Sequence, residues 1–164
     1  MSPLLRRALA LLALVAVPAV AAATPAFAGP PWIAIEYPVN PFNPEHKDAL
    51  LLVHVYHHAE IAYYPLTGTA EGLVDGQRRT EQLAFVSTST PGVYALRFKQ
   101  PADGKWVLVI SIGKGKEMGE ATAVVSLGRD GQVSAVKVPS RREGRYVVPV
   151  SVSASEIDAL LREG

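Results

Sequence analysis

The chain contains no cysteine, and its only methionine besides Met1 is Met118. The first absence excludes a disulfide framework, a thiolate metal site, a cysteine nucleophile and lipid attachment at a lipobox cysteine. The second excludes a methionine-rich copper(I) site. A domain without disulfides is held by its own core, and a chain of this length can bury one. An excess of one charge is missing too: Lys and Arg number 16 against 15 Asp and Glu. No global electrostatic argument for a nucleic-acid or anionic-membrane partner follows. The sequence also lacks heptads, internal repeats, a P-loop, a dinucleotide fingerprint and a nucleophile elbow. Catalysis is therefore not expected.

What is present starts with the N-terminus. Arg6 and Arg7 precede an apolar run from Ala8 to Val20, and Ala26-Phe27-Ala28 follows. This is the layout of a signal peptide over residues 1–28, with cleavage after Ala28 and a mature chain from Gly29. Pro18 and the shortness of the run argue against a spanning anchor, which needs about 20 apolar residues. Cleavage removes two arginines and no acids, so the formal charge moves from +1 to −1. The expected location is the periplasm or the exterior, with no membrane span after processing.

The mature chain reads as short strands separated by turns. Trp32 to Tyr37 alternates and stops at Pro38, and residues 38–44 hold three prolines and two asparagines, which makes a loop. In the next strand Leu51, Val53 and Val55 face one side, with Leu50, Leu52, His54 and Tyr56 on the other. Asp75-Gly76 divides residues 67–74 from 77–86 and signals a hairpin. Residues 90–112 predict a further antiparallel pair, with Tyr94, Leu96 and Phe98 inward before the turn and Trp106, Leu108, Ile110 and Ile112 inward after it. Tyr94, Phe98 and Trp106 are the expected structural core aromatics, and Tyr94 is placed like a tyrosine corner. Another hairpin turns at residues 128–131. Residues 140–145 read as a basic solvated connector, and Tyr146 to Val152 as an edge strand because of Pro149. Ser153 and Glu156 form a capping box for a terminal helix, with Ile157, Leu160 and Leu161 on one face. The fold class is all-β: an antiparallel immunoglobulin-like β-sandwich over residues 29–152, with a short C-terminal helix at 153–164 packed on or beside it.

Pro91-Gly92-Val93-Tyr94, followed by Gly104-Lys105-Trp106-Val107-Leu108-Val109-Ile110, resembles the YtkA-like and related exported immunoglobulin-like domains of bacteria over roughly residues 48–112. The resemblance implies an immunoglobulin-like sandwich outside the cytoplasm, with some relatives concerned with copper handling or respiratory-complex assembly. The chain departs from the copper-binding members, since its predicted mature terminus is Gly29 rather than histidine.

That leaves the histidines. His54, His57 and His58, with His46 and Glu60 nearby, invite a copper or zinc site, because imidazole suits both metals. Strand geometry sets His54 and His58 about 13 Å apart at ~3.3 Å per residue, with His57 on the opposite side. They are then surface histidines at a sandwich rim unless the strand breaks near Tyr56. The leading expectation is an exported, non-catalytic accessory module that docks a protein partner of the cell envelope and needs no cofactor. The alternative is a periplasmic metal-binding protein using residues 54–58.

Overall fold

The structure, a computed structural model, describes residues 30–57, 60–101, 103–113 and 119–163. The expected leader (1–28), His58, Lys114, Lys116 and Met118 lie outside the described residues. Two five-stranded antiparallel sheets make the body. The first runs β1 (Trp32–Glu36), β2 (Leu51–His57), β7 (Val93–Leu96), β6 (Phe85–Ser87), with β3 (Glu60–Ile61) on the far end of β2. The second runs β10 (Val133–Lys137), β9 (Glu120–Leu127), β8 (Lys105–Gly113), β4 (Leu66–Val74), β5 (Gln77–Gln82). A separate ribbon pairs β11 (Ser140–Glu143) with β12 (Tyr146–Pro149), and helix α1 (Ala154–Arg162) closes the chain. With β1, β2, β7 and β6 as A, B, E and D, and β9, β8, β4 and β5 as G, F, C and C′, this is the strand order of an immunoglobulin-type sandwich. The protein is an all-β sandwich with one short helix. Among the described residues no helix is long and apolar enough to cross a membrane.

The core lies where alternating residues of both sheets meet. Ile33, Leu51, Val53, Val55 and Leu96 come from the first sheet, and Ala70, Trp106, Leu108, Ile110, Ile112, Ala123 and Val125 from the second. Trp106, 1% exposed, is the bulkiest of the fully buried side chains. Its register partner on β4 is Gly72, and a Cβ there would stand 2.8 Å from the indole. Glycine in this strand makes room for the ring. Phe98 packs on the same ring at 6.3 Å between centroids.

The outer face of the second sheet is covered by α1. Leu161, with Ile157 and Val152, packs on Val107 and Val124. The Ser153 hydroxyl accepts from the Glu156 amide and the Glu156 carboxylate accepts from the Ser153 amide, so the capping box starts the helix as expected. Arg78 fixes the helix laterally by pairing with both Glu71 and Asp158. Leu160, expected on the packed face, is exposed.

Several strand readings change. β7 and β8 do not pair with each other: β7 lies between β2 and β6, and β8 between β4 and β9. Residues 97–104 cross from one sheet to the other, and Phe98 sits in that crossing rather than in the strand. Alternation identifies an inward face but not the sheet that owns it. For the same reason the single run read at 77–86 is two strands, β5 and β6, in opposite sheets. Tyr94 is half-buried on the inner face of β7, the E position, whereas a tyrosine corner belongs to the start of strand F. Residues 140–143 are strand β11 rather than a connector, and the strand after it ends at Pro149. The Asp75-Gly76 turn is as expected, with both residues at positive φ (51° and 75°), which a type I′ hairpin requires.

Trp106→Ala should lower the unfolding free energy by about 3–5 kcal/mol, and Gly72→Ala, which removes nothing, by about 1–3 kcal/mol through overpacking. Denaturant melts measure both. A neutral Gly72→Ala would contradict the indole contact.

Candidate docking face and its cleft

The outer face of the first sheet is covered over only part of its area. Strand register sets three rows across it: Trp32–Tyr56–Ile61, Ala34–His54–Val93 and Glu36–Leu52–Ala95–Val86. Leu52, Val93 and Ala95 are buried here against Val39 and Ala49. Residues 37–50 therefore form a flap over the lower rows. Val93 and Ala95 alternate with the inward Tyr94 and Leu96, and the flap explains why apolar residues stand on that outer side.

The flap is shaped by its own polar side chains. The Asn40 side chain accepts from the Phe42 amide and that of Asn43 from the Glu45 amide, both at 3.0 Å. Such local bonds hold a turn that the flanking prolines favour. Glu45 then ties the flap to the loop before β7. Its two carboxylate oxygens accept from the Ser89 amide and the Ser89 hydroxyl, each at 2.6 Å, and Arg97 donates to its main-chain carbonyl at 3.0 Å. The Ser89 hydroxyl and then the Ser89 amide, with smaller help from His46 and Arg97, hold the Glu45 carboxyl below the usual carboxylate range.

A cleft of about 210 Å³ opens between the flap and the sheet. Val39, Leu52 and Val93 supply apolar wall, and Glu36, Asn40, Asn43, His46, His54 and Thr90 the polar part. His54 Nε2 lies 2.8 Å from Glu36 Oε2, and its ring stacks on Tyr56 with planes 5° apart. His46, carried by the flap itself, is 6% exposed. Its Nε2 stands 3.4 Å from Glu45 Oε2, while its Nδ1 is buried and has no hydrogen-bond partner.

His54 and His57 do not converge, and the metal site of the alternative reading is not formed by them. His57 turns to the other side of β2 and meets the edge of Tyr64 at 5.7 Å, so it is separated from His54 by the sheet itself. His58 lies outside the described residues. Among the described residues no three histidines or carboxylates are grouped to hold a metal ion. The two histidines that do share a site are His46 and His54, eight residues apart and brought together by the folding back of the flap. Nothing in local spacing shows that pairing.

Beyond the flap the upper row is open. Ile61 is 50% exposed, Tyr63 73% and Phe42, at the turn of the flap, 91%. Tyr56 and Trp32 are half-buried. Two larger depressions, of about 610 and 710 Å³, lie elsewhere. The first mixes Lys47, Lys99 and Arg129 with Asp48, Asp103 and Asp130, so its charges balance. The ribbon β11–β12 carries Arg141, Arg142 and Arg145 into solvent, with Arg141 paired to Glu143 and Arg145 lying over the Tyr146 ring at 5.0 Å. No family model, curated protein or solved structure matches the chain.

A carboxyl with a lowered folded-state pKa stabilises the folded form at pH above its unfolded pKa, and that contribution is lost as pH falls through the folded value. The Ser89 amide resonance should therefore titrate with a midpoint below the usual glutamate value of about 4.3. Flap amides should exchange faster below that midpoint. A Ser89 midpoint at or above about 4.3 would contradict the Glu45 clamp.

Proposed function

We propose that this chain is an exported, non-catalytic accessory module that docks a protein partner of the cell envelope through the outer face of its first sheet. The observation that carries this reading is the open aromatic row. Trp32, Tyr56 and Ile61 stand in register on a face that the flap covers in part. Among the described residues α1 covers the outer face of the second sheet and the flap part of the first, and Ile61 of this row stays 50% exposed. Aromatic side chains on a rigid sheet lose little entropy on binding and are the usual anchors of protein interfaces. Export rests on the leader sequence: Arg6 and Arg7, the apolar run and Ala26-Phe27-Ala28.

Photo-crosslinking tests the face. A benzophenone amino acid placed at Ile61 should yield one adduct of defined mass in intact cells, and Tyr56→Ser should abolish it. The same probe at Gln82, on the exposed edge of the second sheet, should yield none. Adducts of equal yield from both positions, or none from Ile61, would contradict the assignment. Mass spectrometry of the same preparation should give a chain that starts at Gly29; an intact Met1 species would contradict export with cleavage.

A further inference from the structure

The ribbon β11–β12 belongs to neither sheet of the sandwich and takes no part in the docking face. We infer that its tip is a membrane contact, seated among the headgroups of an anionic lipid surface. This second surface is independent of the aromatic row.

The tip is a two-residue hairpin. Register pairs Arg141 with Val148, Arg142 with Val147 and Glu143 with Tyr146, and Gly144 turns the chain at a φ of 60°. Every residue from Ser140 to Val147 is exposed, and exposure falls at Val148 and Pro149. Tyr146 is 59% exposed and Val147 50%. Two strands enclose no core, so these apolar side chains gain no shelter from the ribbon itself.

The charge at the tip is local and one-sided. Residues 141–145 hold three arginines and one glutamate, on a chain whose positive and negative charges otherwise nearly balance. Arg141 pairs with Glu143, which neutralises the one acid. Arg142 has no acidic partner among the described residues. Arg145 donates to the Tyr146 hydroxyl at 2.7 Å, an uncharged acceptor that leaves the guanidinium charge unmet.

This mixture selects the partner. Guanidinium groups bond phosphate oxygens in a fork, and tyrosine settles at the headgroup level with its ring in apolar surroundings and its hydroxyl wet. A soluble polyanion would satisfy the arginines and leave Tyr146 and Val147 in water. A protein partner is disfavoured by size. Two four-residue strands make a face of about 13 Å by 10 Å, against roughly 800 Å² per partner in a specific protein interface. A lipid surface asks for no such area, since binding there grows with whatever apolar surface is buried and with attraction to anionic headgroups.

The test is sedimentation of the chain from Gly29 with vesicles of phosphatidylglycerol and phosphatidylcholine in equal parts, beside vesicles of phosphatidylcholine alone. The protein should sediment with the first and not the second, and should be released as salt rises. Each basic side chain near such a surface adds about fivefold to binding, so Arg142→Gln with Arg145→Gln should weaken it roughly 25-fold. The thermal midpoint should not move, because both side chains are exposed. The indole introduced by Tyr146→Trp should add fluorescence that chain-brominated lipid quenches. Undiminished binding of the double variant, equal binding to both kinds of vesicle, or an unquenched indole would overturn the inference. Binding to soluble polyphosphate without binding to vesicles would overturn it as well, in favour of a polyanion. Ile61→Ser should bind vesicles like the parent; a loss there would move the contact to the aromatic row. The Ile61 crosslink should survive the double arginine variant, so the ribbon and the docking face stand or fall separately.

Discussion

The contact on which the fold depends is Trp106 against Gly72. β8 is the central strand of the second sheet, between β4 and β9. Its inward series begins with the largest fully buried side chain of the described protein. The neighbouring strand can lie flush only because position 72 has no side chain. Without disulfides, this cysteine-free chain draws its stability from such burial and from the two caps on its outer faces. Those caps differ in kind. α1 is an apolar cover fixed by a capping box and by Arg78, whereas the flap is a proline- and asparagine-shaped loop fixed by one carboxylate, Glu45. The helix closes its face, and the flap leaves a cleft and an aromatic row on the other.

Much of the fold was legible in the sequence. Period-two alternation located the inward faces of β2 and β8, and Asp75-Gly76 and the Ser153–Glu156 pair located a hairpin and a helix start. What alternation could not show is which strands pair. Residues 90–112 and 77–86 each contain a crossing between sheets, and the residues at the crossing, such as Leu83 and Phe98, remain apolar because they still touch the core. A chain that changes sheets without leaving the core keeps its hydrophobic pattern. The break becomes visible only in three dimensions.

The candidate site was less legible, for a related reason. His54, His57 and His58 are neighbours in sequence, yet strand geometry sends His54 and His57 to opposite faces. The histidine that shares a cleft with His54 is His46, which belongs to the flap and is buried. The flap that carries it is tied down by Glu45 reaching Ser89, 44 residues away. One signal was available: Leu52, Val93 and Ala95 are apolar yet alternate with the core residues of their strands, and apolar residues on an outer side need a cover. Residues 37–50 were the nearest segment without a strand of their own.

The central claim is that the open row of the first sheet is a binding surface rather than part of the folding core. Exchanging Trp32 and Ile61 together for serine separates these roles, with thermal melts run beside native sizing of a mild detergent extract. The protein should melt within a few degrees of the parent and lose its larger native complex. A double variant that keeps the complex, or that fails to fold, would contradict the claim.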